Sequence, residues 1–366
     1  MKARAGDWVE ILSKEEILRT LDKNGRLDDL PFMPQMFQYC GQRFRIHKTA
    51  HKTCDTVSGR YAGLGLQDGY HLDLRCDGVA YGGCQAGCLI FWKSAWFKRV
   101  DGPTPTRYVP KRSPSQSAAT TSSPCCTDSD VAAATKQQDA AGDVKYSCQA
   151  TELLKYTKPL AWWDVRQYVD LYRSDDKTLP EIARGFFYLL YYHGTLASSD
   201  KWGRPGRWLY NRFQATVGGI PFPREKGKIP SGQPTPRNDL DLKPGDLVRV
   251  KSYEGILATL DGRLSNRGLT FDAELVPFCG KTFRVSTRVE RFVDEKTGRM
   301  RRMNTPAVIL EGVTCKALYC GRRMFCTRGI HLWWREIWLE RVPADPAHRA
   351  IPAIQPGVHM TAEQTG

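Results

Sequence analysis

GDWVEILSKEEILRTLD (residues 6–22) returns as GDLVRVKSYEGILATLD (residues 245–261). The match runs well beyond these lines. Gly6-Asp7 answers to Gly245-Asp246, Phe32 to Phe271, Cys40-Gly41 to Cys279-Gly280, Phe44-Arg45 to Phe283-Arg284 and Cys76 to Cys315, always at an offset of 239. Each copy then carries two more cysteines and closes on an aromatic strand, FWKSAWFKRV (91–100) in one and WWREIWLERV (333–342) in the other. The chain therefore holds one module twice.

Within each copy the periodicity changes along the chain. WVEI alternates as a half-buried strand does after a Gly-Asp turn. SKEEILRTLD then changes to helical spacing, with Ile17, Leu18 and Leu21 on one face. Ser13 and Glu16 have the spacing of a capping box. In the second copy, KTFRVSTRVERFVDEKTGRMRRM (281–303) reads as a β-hairpin turning at Lys296-Thr297-Gly298, and AVILEGVTC (307–315) as a further strand. About five short strands with an aromatic last one predict a small barrel. The opening L-x-P-G-D-x-V-x-V resembles that of SH3-like barrels, KOW-type modules included, over about ten residues per copy. The expected fold is mainly β with an α insert: two tandem SH3-like β-barrel repeats, each with a short helix and a four-cysteine metal site.

The division expected from composition is a first repeat over 1–100, a Ser/Thr/Pro/Ala-rich disordered linker over 101–145, an aromatic and basic helical segment with a Pro/Gly connector over 146–240, a second repeat over 241–342 and a disordered tail over 343–366. In the middle segment, LLKYTKPLAWWDVRQYVDLYRS, LPEIARGFFYLLYYHG and RPGRWLYNRFQATVGG read as helices. From Lys201 to Arg237 that segment turns basic.

Twelve cysteines stand in 366 residues. The N-terminal MKARAGDWVEILSKEE has no apolar signal core, and no run approaches the roughly 18 apolar residues of a membrane span, so a cytoplasmic protein is expected. In a reducing compartment, metal binding explains paired cysteine sets better than disulfides do. The sets expected from the repeat are Cys40, Cys76, Cys84 and Cys88, and Cys279, Cys315, Cys320 and Cys326. Four thiolates complete a tetrahedral shell for structural zinc, the first expectation; an iron–sulfur cluster is the alternative. His51 and Cys54, near His47, form a second candidate, a reactive thiol beside an imidazole or a further metal site shared with Cys148. Cys125 and Cys126 read as incidental.

A net charge of +15 and a pI near 9.3 favour acidic partners. The expected function is a metal-stabilised tandem-repeat binding protein contacting a polyanion, nucleic acid first, through Arg288, Arg291, Arg299, Arg301 and Arg302 with Arg43 and Arg45. A redox metalloenzyme and a peripheral protein on an anionic membrane surface are the alternatives. No phosphate-binding loop, zinc-protease helix or nucleophile elbow is present, so binding is expected before catalysis.

Overall fold

The structure, a computed structural model, describes residues 3–58, 62–103, 125–140, 142–197, 200–216 and 219–343, without the side chains of 191–204. It is a mixed fold of small antiparallel sheets with few helices. The helices are α1 (Lys14–Leu18), α2 (Asp128–Ala133), α3 (Arg166–Arg173), α4 (Leu179–Ala197), α5 (Asp200–Thr216) and α6 (Tyr253–Leu257).

The repeat is visible at the level of register. Trp8 pairs with Arg45 and Val9 with Phe44, and in the second copy Leu247 pairs with Arg284 and Val248 with Phe283. Ile11 faces Phe97 as Val250 faces Leu339. The same aromatic cage fills both cores. Phe32 meets Trp96 edge-on at 5.1 Å and Phe271 meets Trp338 at 5.2 Å. Trp92 and Trp334 complete it at 6.3 and 6.2 Å. Such T-shaped packing sets the ring edge of one indole against the negative face of its neighbour. Ser13 caps α1 with the full box to Glu16, while Ser252 caps α6 through Gly255 N–H alone.

The sheets are open. Repeat two is a five-stranded sheet ordered His331–Trp334, Met300–Thr314, Thr282–Val293, Leu247–Val250 and Leu339–Arg341, its outer strands unpaired with each other. Repeat one breaks the counterpart of the long hairpin into short strands, and Gly63–Gly65 accepts a third strand, Lys158–Leu160, from the middle segment.

Two expectations need correction. Part of the 101–145 linker is folded: it holds α2 and most of a hairpin pairing Lys136–Gln138 with Val144–Tyr146, and Cys126 and Val131 are buried in the core of repeat one. A Thr127–Asp130 capping box and that apolar anchor outweigh the polar composition. Residues 104–124 and 344–366 lie outside the described residues. The helix expected from Leu153 to Ser174 reduces to α3. Pro159, with no N–H for a helix, lies instead in an added strand opposite Leu64.

Candidate metal centres between the repeats

Cys76, Cys84 and Cys88 of the first expected quartet line one cavity of about 40 Å³. The fourth cysteine lining it is Cys148, not Cys40. Cys40 ends the 3-10 helix Pro34–Tyr39 with its N–H on Phe37 O, and Gly41, at φ 74°, turns the chain back to Ile11 O. Cys279 and Gly280 repeat that turn on Val276 O and Val250 O. The Cys-Gly pair thus belongs to a turn in both copies, and burial pushes the Cys279 thiol up to about 12.

The second set changes in the same way. Cys315 and Cys326 of repeat two pack with Ala317 and with Cys54 of repeat one, which is 3% exposed, while Cys320 Sγ lies 3.9 Å from Asp272 Oδ1. A hydrogen bond from the Cys326 thiol, with Arg328 and Arg323 nearby, draws the Cys54 thiol down to about 6.

Two reciprocal insertions produce these groupings. Strand Lys52–Cys54 reaches into repeat two: Lys52 Nζ donates to Met324 O at 2.5 Å, and Thr327 Oγ1 donates to Lys52 O at 2.9 Å. The hairpin tip of repeat two reaches into repeat one: Val293 N–H donates to Cys84 Sγ at 3.3 Å, and Gln85 Oε1 accepts from Glu290 and Arg291 N–H at 2.8 and 3.0 Å. Val293 holds the position of Cys54 in the second copy. Each repeat thus places the same position beside the other's cysteine loop, a cysteine in one direction and a valine in the other.

Local turns aim amides at the sulfurs. The N–H two residues on faces the sulfur, and favours its thiolate, at Cys76 (Gly78), Cys148 (Ala150), Cys315 (Ala317) and Cys326 (Arg328). Gly78 and Ala317, at φ 73° and 49°, are equivalent residues. At Gly78 a side chain is excluded outright, since a Cβ would lie 1.9 Å from Cys84 O. Amides directed at sulfur stabilise thiolate ligands. Burial pushes the Cys76 and Cys320 thiols up to about 12.

No protein-family model and no curated protein matches this chain.

A further cluster escaped the sequence reading. The donor atoms of Asp272, Glu274 and Cys320 all lie within 4.8 Å of one another, the one group of three this close among the described residues. Its carboxylates already have work: Asp272 caps the 3-10 helix Ala273–Phe278 and approaches Arg323 at 3.4 Å, and Glu274 accepts from Tyr319 N–H at 2.5 Å. Repeat one has Gln35 at the position of Glu274, with its Nε2 3.1 Å from Cys76 Sγ. In both copies this helix points a polar side chain at the cysteine loop. The signal in the sequence was the acidic pair Asp272 and Glu274 in an otherwise apolar stretch.

His51 faces Thr49 (3.1 Å) and Asp176 (4.0 Å) rather than Cys54. The seven arginines expected to meet a polyanion are mostly committed within the fold. Arg288 pairs with Glu336 and Glu290, Arg299 with Asp139 and Asp143, Arg301 with Asp294 and Arg43 with Glu10. Arg45 donates to Gly6 O and Arg291 to Gly83 O, while Arg302 is exposed. The hairpin tip that reads as a basic patch is a seam between repeats.

Proposed function

We propose that this chain is a metal-stabilised binding protein whose contact surface for a polyanion, single-stranded nucleic acid first, is α5. The observation that supports it is an aromatic and basic face on that helix. Trp208, at 65% exposed, Leu209 and Phe213 stand clear of the core, and the Arg212 guanidinium lies 5.9 Å over the Trp208 ring. Arg207 flanks them, 3.8 Å from Glu225. Exposed rings offer stacking faces that tolerate any base, and guanidinium groups neutralise phosphate. The reading keeps the chain's +15 charge but moves the surface away from the arginines of the hairpin, whose charge is largely met within the fold.

The test is titration of a fluorescent single-stranded oligonucleotide at several salt concentrations. Affinity falling steeply with salt supports the reading. Trp208→Ala should cost about 1–3 kcal/mol, as for one lost base stack. Arg212→Ala should shallow the salt slope by about one phosphate contact. Binding that is absent, or unchanged in both variants, removes α5 from the proposal. Phe187 and Leu190 of α4, both exposed and uncharged, carry the membrane-surface alternative. Flotation with anionic vesicles, lost in Phe187→Ser/Leu190→Ser, would support that alternative instead. No helix among the described residues is long and apolar enough to cross a membrane.

A further inference from the structure

We infer that the chain holds two zinc sites whose ligands are exchanged across its seams: Cys76, Cys84, Cys88 and Cys148 in one, and Cys54, Cys315, Cys320 and Cys326 in the other. This rests on the metal-stabilised reading above but changes its ligands, removing Cys40 and Cys279. Three independent features converge on it. The sulfur groupings come first: four cysteines line the first cavity, and Cys54 packs with Cys315 and Cys326 of the second set; in neither set do three sulfurs lie within 4.8 Å of one another, so binding has to draw them together. Second, amide-to-sulfur turns occur at Cys76, Cys148, Cys315 and Cys326, and so include the one ligand that comes from outside both repeats. At Cys40 and Cys279 the N–H two residues on goes to a carbonyl, Gln42 to Tyr39 O and Lys281 to Phe278 O.

The third feature is charge. A zinc ion with four thiolates carries two net negative charges, which burial penalises unless cations lie close. Arg328, buried, lines the first cavity and also faces Cys54. Arg323 lies beside Cys320 and Cys54. Both arginines lie close enough to offset the thiolates. On binding, each zinc displaces the thiol protons, which pass to solvent, and no oxidation is involved. Thiolates only, with no open position, make both sites structural. One would tie repeat one to repeat two through Cys54, the other would tie the middle segment to repeat one through Cys148.

Residue 293 makes the scheme testable in both directions. Val293 lines the first cavity, and its N–H lies on Cys84 Sγ. A cysteine there would occupy in repeat one's cavity the place Cys54 occupies in repeat two's.

The experiment is metal analysis of the full chain purified in reducing buffer, with cobalt substitution to count thiolates. Wild type should hold about two zinc, and the cobalt form should show thiolate charge-transfer bands of four-sulfur sites. Cys54→Ser and Cys148→Ser should each lose one equivalent and keep the other, and the retained equivalent is an internal control for folding. Cys40→Ser and Cys279→Ser should keep both. Adding Val293→Cys to Cys148→Ser should restore the lost equivalent. If Cys40→Ser or Cys279→Ser loses metal while Cys54→Ser and Cys148→Ser keep it, this ligand exchange is wrong and the metal-stabilised reading survives. Wild type without metal overturns both. Iron with sulfide overturns the zinc assignment.

Discussion

Thr56 hydrogen-bonds to Glu295, the residue that holds Thr56's own place in the second copy. A contact between equivalent positions is what a two-fold axis requires where it passes through an interface. The surroundings agree. Gly87 lies against His331 and Gly329 against Leu89, and 87 and 89 correspond to 329 and 331 in the closing part of the repeat. The copies thus meet as an isologous dimer does, joined in one chain through the middle segment.

Arg328 fixes this axis, donating to Thr56 Oγ1 at 2.6 Å and to Glu295 at 2.8 Å while only 2% exposed. Glu295→Ala leaves that guanidinium buried without its carboxylate. The expected loss is about 3–5 kcal/mol in urea unfolding. Thr56→Val removes the hydroxyl that accepts from Arg328 and donates to Glu295, and should cost about 1–3 kcal/mol. Equal, small losses in both variants would mean that the seam does not carry a buried ion pair.

Trp96 and Trp338 each donate their indole N–H to a threonine, Thr20 and Thr259, at 3.1 Å in both copies. Both rings are fully buried. Replacing either by alanine should cost about 3–5 kcal/mol through the cavity left behind. Because the cages match, the two losses should be similar. A calorimetric trace in which Trp338→Ala melts repeat two alone, leaving repeat one at its wild-type transition, would contradict the interlocked seam.

The local half of this molecule was legible in the sequence. The Ser13–Glu16 box, the strand WVEI and the turn at Lys296-Thr297-Gly298 are fixed by neighbours in the chain. So was the correspondence of the copies, because a constant offset transfers register directly. The cysteine partners were not. Aligning the copies pairs Cys54 with Val293, which makes Cys54 look solitary, whereas the fold carries each of these positions into the opposite repeat. Cys148 was hidden by a polar, proline-rich stretch whose latter part nonetheless folds onto repeat one. Charge misled for a related reason: the arginines of the hairpin tip count as free cations in a composition, but Asp139 and Asp143 neutralise Arg299 from elsewhere in the fold and Asp294 of the hairpin turn pairs with Arg301.

Lys52 joins three parts of the chain while buried to 1%. Its ammonium donates to Gln167 Oε1 of α3 at 2.7 Å and to Met324 O of repeat two, and lies 5.1 Å over the Tyr168 ring. Lys52→Met keeps the stem but leaves two acceptors without a donor. A destabilisation of about 1–3 kcal/mol is expected, together with faster amide exchange in α3. Protection of α3 unchanged from wild type would show that the helix is held by its apolar face, Tyr168 and Leu171, alone.

The acid limb of stability should report His71. Burial drives its imidazole down to about 3, with Lys48, His47 and Arg75 adding positive charge around it. Its Nδ1 meets Ile90 O at 2.8 Å, so the neutral ring donates there. The folded value lies below the ordinary histidine value of about 6.5, so the unfolded chain takes up a proton that the native state refuses. The contribution is therefore complete above about pH 6.5 and is lost progressively as pH falls toward 3, at no more than about 1.4 kcal/mol per pH unit. His331, lowered to about 4 chiefly by burial, adds a slope of the same sign. Repeat two has Leu310 at the position of His71, fully buried in its core. His71→Leu should thus be tolerated sterically, lose the bond to Ile90 O and flatten the decline between pH 6.5 and 5 in urea midpoints. An unchanged slope would mean that His71 takes up its proton in the native state, and that the cavity around it admits water.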